Sequence, residues 1–230
     1  MTLLDSLNPQ QKEAVTAGNG PVLVLAGPGS GKTRVLTQRI AYLIEKRGVR
    51  AYQILAVTFT NKAAREMKER VENLIGAQFS QGLLLGTFHS ACARILRREV
   101  DHLPYDSNFV IFDSSDQQNV VKSALRELNI DEKRFRPRSV HGSISNAKNE
   151  LITPDQSPTT TYRDEVVKRV YARYQELLIE NNALDFDDLL VVTARLLENE
   201  PAIRQKYAER FKHVLVDEFQ DTNMAQYTLI

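Results

Sequence analysis

The sequence predicts an α/β protein: a parallel sheet interrupted by a long helical insertion. Three observations carry this expectation. Short, nearly continuous apolar runs alternate with helix-periodic segments through residues 1–113. From Ser114 to Phe211 the helical period is almost alone. An apolar run then returns at His213–Asp217. Strands that are apolar on both faces belong in parallel sheets covered on both sides. The expected division is therefore 1–113 for the first part of the sheet domain, 114–211 for an all-α insertion and 212–230 for the return.

The elements follow in order. Asn8 before Pro9 is an N-cap with proline at the first helical position, opening a helix to about Ala17. Gly18-Asn19-Gly20-Pro21 stops it. Val22–Ala26 reads as a first buried strand. From Lys32 to Arg47, Val35, Leu36, Ile40, Leu43 and Ile44 recur at helical spacing, and Gly48 fits a C-cap. Ile54–Phe59 is a second strand. Asn61 is the expected cap of a helix ending at Gly76. Leu83–Phe88 is a third strand, Ser90 to about Val100 a helix, and Phe109–Phe112 a fourth strand. The insertion reads as helices from Ser115, from Arg138 to Glu150, Tyr162 to Asn181, Asp185 to Leu197 and Pro201 to Phe211. A Pro/Ser/Thr-rich loop lies at 154–161. A last helix begins near Thr222.

Composition narrows the class. Thirty basic residues against 29 acidic give a net charge of +1, so any basic surface must be local. Lys133, Arg134, Arg136, Arg138 and Lys148 form such a run, with no acid between 133 and 148. It reads either as a solvated face or as a contact for a nucleic-acid backbone. The single cysteine, Cys92, excludes an internal disulfide framework and reads as a buried thiol. No apolar run is long enough to span a membrane, and the N-terminal residues lack the pattern of a signal peptide. A cytoplasmic protein is expected.

The chemistry concentrates in two places. After the apolar run come Ala26-Gly27-Pro28-Gly29-Ser30-Gly31-Lys32-Thr33, opening a helix. Strand, glycine loop, Lys-Thr and helix make a phosphate-binding loop. Its glycines let backbone N–H groups point inward around an anion, and the helix N-terminus adds its positive end. Ala26 stands where the strict pattern has glycine, and a small residue satisfies that turn. Lys32 would reach the β- and γ-phosphates, and the Thr33 hydroxyl would ligate Mg²⁺. Arg34 either approaches the phosphates or is an ordinary solvated helix residue. The second place is the strand end Asp217-Glu218. There Asp217 would hold Mg²⁺ through water, and Glu218 would orient or deprotonate an attacking water.

The same residues resemble the N-terminal part of UvrD/Rep/PcrA-type DNA helicases over essentially the whole chain. Leu7–Gln11 resembles the family's Q motif, with Gln11 at the adenine-reading glutamine. Ala26–Thr33 is similar to motif I, and Thr58–Ala64 with Glu66-Met67 to motif Ia. Thr87–Ser90 resembles the TFHS motif, Leu184–Leu190 a further signature, and Asp217–Asn223 motif II. The resemblance implies a RecA-like P-loop domain, 1A, holding an inserted helical subdomain, 1B. It implies ATP and Mg²⁺ as cofactors, and single-stranded and duplex DNA as partners, with repair or replication proteins beside them. It also implies 3′ to 5′ movement. Thr58, Phe59, Asn61, Thr87, His89 and Ser90 become the expected DNA contacts: Phe59 by stacking, the others through short polar groups. The family's remaining motifs do not occur in this sequence. Nucleotide binding with little turnover or unwinding is therefore expected of these residues alone. A helicase–nuclease subunit, and a non-catalytic DNA-binding module with a vestigial loop, are the alternatives.

Overall fold

A computed structural model describes residues 3–230. They divide into two compact units. One holds the residues up to Ala91 together with Arg204–Asp221. The other holds Cys92–Ile203 and Thr222–Ile230. The changes of sequence grammar at 113/114 and 211/212 fall inside these units.

The first unit is built on a three-stranded parallel sheet of β1 (Ile54–Thr58), β2 (Leu84–Thr87) and β5 (His213–Val216), in the order β2-β1-β5. β1 lies in the middle and is buried along its whole length, as its run of apolar residues requires. Its register sets Val57 beside both Gly86 and Val216, and Thr58 beside Thr87, so the three strand ends lie side by side. The core joins Ile40, Ala41 and Leu43 of α2 (Lys32–Glu45) to Ile54 and Ala56 of β1. Met67, Val71 and Ile75 of α3 (Asn61–Ile75) complete it. α1 (Pro9–Thr16) begins as its sequence predicts. The Asn8 side chain accepts from the Gln11 N–H at 2.8 Å, and Gln11 Oε1 accepts from the Asn8 N–H at 3.1 Å. The cap of α3 is Thr60 rather than Asn61: its Oγ1 accepts from Ala63 N–H, leaving Asn61 exposed in the first turn.

The expected strand at Val22–Ala26 is not formed. The run is extended chain, and Val22, Leu23, Val24 and Leu25 are 52, 67, 42 and 87% exposed. Apolar composition marks what a strand could bury. It does not supply the hydrogen-bonded neighbour and covering layers a strand needs. Among the described residues β5 pairs only with β1, so the run has no partner strand.

The second unit is largely helical. It contains α5 (Ser114–Glu127), α6 (Pro137–Asn149), α7 (Tyr162–Glu180), α8 (Phe186–Asn199) and the short α10 (Met224–Thr228). α4 (Phe88–Arg98) and α9 (Pro201–Arg210) cross the boundaries between units. Val120, Val121, Val140, Ile144, Val170, Tyr174 and Leu178 are among its core residues. The unit is not all-α. The expected fourth strand, at 109–112, leaves the main sheet. As β3 (Val110–Ile111) it pairs in parallel with β4 (Ala183–Leu184), a two-residue strand between α7 and α8. Asn182, in the left-handed region at φ 45°, turns the chain there, and its carbonyl accepts from Val110 N–H.

Cys92 is buried, and burial pushes its thiol up to about 12 against a hydrogen bond with Thr193. A thiolate is the reactive form. The native chain should therefore leave Cys92 unlabelled by a maleimide over a time in which the urea-unfolded chain reacts fully. Rapid native labelling would contradict this packing.

Candidate functional site

The glycine loop precedes α2, whose N-cap is Gly31 at φ 88°, with no side chain capping the helix. Gly29 is also left-handed, at φ 74°. A side chain at either position would strain the turn. Around Gly27 and Gly29 nothing lies within 4 Å of where a Cβ would stand, so the backbone there is open to a ligand. The Ser30 hydroxyl donates to Gly27 O at 2.6 Å and draws the loop into a turn. Gln11 braces it from outside: its Nε2 donates to Ser30 O at 2.9 Å while its Oε1 completes the cap of α1. Arg34 turns away from the loop and donates to Ser6 O at 2.9 Å. A role on the phosphates is not the one its guanidinium plays here.

Lys32 Nζ lies 3.5 Å from Ala26 O and 3.5 Å from Glu218 Oε2, so the loop and the acidic strand end meet at this side chain. Asp217 follows β5 directly, and its N–H donates to Val57 O at 2.9 Å. Burial, then the charge of Glu218, push the Asp217 carboxyl above its ordinary value. The Glu218 amide, Lys32 and the Thr58 hydroxyl act the other way. Glu218 is held below its ordinary value chiefly by Gln220, whose Nε2 donates to it at 2.6 Å, with Lys32 adding to the effect against a small cost of burial. Two neighbouring carboxyls thus differ in character: one buried and anchored, one outward and acidic.

These residues suit a nucleoside triphosphate with Mg²⁺. Open left-handed glycines and an uncapped 14-residue helix present N–H groups to an anion. Among the described residues no cluster of three or more His, Cys, Asp or Glu could hold a metal by itself. A single carboxylate and a hydroxyl, Asp217 and Thr33, are what Mg²⁺ uses when phosphates and water fill its other positions.

The expected DNA contacts sort into two groups. Thr58 and Thr87 are buried and already engaged. The Thr58 hydroxyl serves Asp217, and Thr87 Oγ1 accepts from Ser90 N–H at 3.2 Å. Ser90 Oγ donates to Thr87 O at 2.9 Å and sits so close over Gly86 that any side chain there would collide with it. These three side chains build the strand end. Phe59 is half-buried, its ring meeting Phe88 edge-on at 5.9 Å. Asn61 is exposed, and His89 is half-buried in the first turn of α4. Phe59 and His89 follow the ends of β1 and β2, and Asp217 follows β5. The two groups thus lie on one rim, with adjacent strands about 4.8 Å apart.

In the helical unit the basic run breaks. Lys133, Arg134, Arg136 and Arg138 are exposed, but Lys148 is completely buried. The Arg134 guanidinium lies 5.1 Å from the centre of the Tyr162 ring, itself 59% exposed, and 5.6 Å from that of Phe135. Arg163 donates to Ser139 and Ser143. The result is a basic and aromatic face at the starts of α6 and α7. The contribution of Arg163 and Tyr162 escaped the sequence reading because they stand more than twenty positions away from the run.

A parallel sheet with a glycine loop and a paired acid at one rim defines a P-loop nucleotide-binding protein. The chain belongs to the UvrD/REP helicase N-terminal domain family, whose sequence profile matches residues 7–230. It is 52% identical over 230 residues to the ATP-dependent DNA helicase PcrA of Staphylococcus aureus strain Mu50, and 51% identical to that of Bacillus subtilis strain 168. Each alignment covers 99% of this chain and 31% of the relative. The chain thus spans about a third of the length of these curated relatives. Among the described residues no helix is long and apolar enough to cross a membrane.

Proposed function

We propose that this chain is the N-terminal motor part of a cytoplasmic, ATP-driven 3′ to 5′ DNA helicase acting in repair or replication. The observation that carries the reading is the meeting of Lys32 with Glu218 at the rim where Asp217 is anchored. In this reading the loop amides of residues 27–33 bind the phosphates, Lys32 moves from Glu218 onto the terminal phosphate, and Thr33 and Asp217 hold the cation. Bound Mg²⁺ would neutralise phosphate charge. Glu218, outward and acidic, orients the attacking water and accepts its proton. Phe59, Asn61 and His89 hold single-stranded DNA one strand away, close enough for changes at Asp217 to reach them through Thr58. The Arg134–Tyr162 face takes the duplex backbone through charge, with Arg136, Arg138 and Arg163 around it.

Steady-state turnover with and without oligo-dT tests the division of labour. The 230-residue chain should bind ATP but turn over well below ~1 s⁻¹. The full-length protein should be DNA-stimulated above that rate. Brisk turnover by the chain alone would refute the view that it holds one wall of the catalytic cleft.

A further inference from the structure

Glu218 occupies the left-handed region at φ 50° without being glycine. Such a backbone persists only where its surroundings hold it. On the strand side the holder is the Asp217 N–H bond to Val57 O. On the other side a single turn, Phe219–Asp221, closes with Asp221 N–H on Glu218 O at 2.9 Å. The chain then enters the helical unit at Thr222.

What fixes it there is Asn223. Its Oδ1 accepts from Gln226 N–H at 2.8 Å, its own N–H donates to Gln226 Oε1 at 3.1 Å, and Ala225 and Gln226 are buried. The remaining group of that side chain, Nδ2, donates to Asn149 Oδ1. Asn149 is the last residue of α6. The residue before it, Lys148, is buried and ion-paired to Asp185 at 2.7 Å and Asp188 at 2.8 Å. The amide that receives Asn223 thus stands on a tightly held part of the helical unit.

We propose that Asn149 and Asn223 are positioning residues for Glu218. Their bond anchors the chain five residues beyond it, so that the turn between holds the carboxylate in its left-handed pose. Neither side chain touches the reacting atoms. The inference rests on the proposed role of Glu218 in hydrolysis.

The test is a double-mutant cycle in the full-length protein, read by DNA-stimulated ATPase. In Asn149→Asp alone, Asn223 still donates to the new carboxylate. In Asn223→Asp alone, Asn149 can rotate its amide to donate back, and aspartate caps a helix as well as asparagine does. Each single variant should keep kcat near wild type. The pair together leaves two carboxylates facing each other with no donor. It should lower kcat by about tenfold or more, the scale on which misplaced catalytic groups act, while leaving KM for ATP within about twofold. Glu218→Gln run alongside should be almost inactive. An unchanged kcat in the pair beside an inactive Glu218→Gln overturns the positioning role and spares the reading of Glu218. A Glu218→Gln protein with wild-type turnover overturns both. A parallel loss of nucleotide binding in the pair shows a merely structural bond and also overturns the proposal.

Discussion

Lys148→Met is expected to cost the helical unit about 3–5 kcal/mol, the loss seen when one partner of a buried ion pair is removed. For a unit of this size that is a fall of about 10–20 °C in its melting midpoint. The reason is the completeness of the network. Asp185 caps α8, its Oδ1 accepting from Asp188 N–H at 2.7 Å, and its Oδ2 takes Lys148 and the Tyr174 hydroxyl, each at 2.7 Å. Asp188 Oδ1 takes Lys148 at 2.8 Å and Gln175 Nε2 at 3.1 Å. Three helices therefore meet at one ammonium group. Without it two carboxylates remain buried around no cation. Burial already pushes Asp188 up to about 6. For Asp185 burial acts the same way but is outweighed by Lys148, which with the Asp188 amide and Tyr174 holds it low. Removing Lys148 raises both. The variant's native state then binds more protons than its unfolded state, so its stability should rise as pH falls from 7 to 5. A loss below ~1 kcal/mol, or one that grows toward pH 5, would refute this account. Adding Asp185→Asn and Asp188→Asn should recover much of the loss, since a neutral core replaces an uncompensated one.

That network shows where sequence reading reaches its limit. Lys148 joined a run free of acids and was grouped with exposed arginines, yet its partners stand 37 and 40 positions later. Periodicity could have found it: Val140, Ile144 and Lys148 recur every fourth residue, on the buried side of α6. Most helices were legible because caps and apolar spacing are local properties; Asn8, Asp185 and Gly76 act where the sequence puts them. The site's residue types were legible for a similar reason, since a glycine loop and a paired acid announce their chemistry by spacing. What each side chain does was less so. Thr58 and Thr87 have the look of surface hydroxyls, but strand register turns them toward Asp217 and Ser90. The run 22–25 is the converse case. Its residues ask for burial, and strand formation depends on a neighbour that spacing cannot reveal.

Lys32→Ala should leave the fold intact while weakening ATP binding by about 10–100-fold. Lys32 and Glu218 are both about a third exposed and 3.5 Å apart, so their pairing resembles a surface ion pair, worth at most about 1 kcal/mol. Little stability is therefore lost with the lysine, and little opposes its transfer to a phosphate. On the phosphate it would make a charge-assisted hydrogen bond, of the kind worth about 1.5–3 kcal/mol, or roughly one to two powers of ten in Kd. Lys32→Arg should not fully restore binding, because a planar fork replaces a compact point charge at the start of a tight turn. Titration of a fluorescent ATP analogue against the three proteins, with melting curves as the check on folding, measures both sides of this balance. Equal affinity for wild type and Lys32→Ala would mean that the loop no longer binds nucleotide through its lysine. The chain would then be a DNA-binding module that keeps the outline of a motor. A large drop in affinity with an unchanged melting curve is the result that the open glycines, the exposed ammonium and the paired acid lead one to expect.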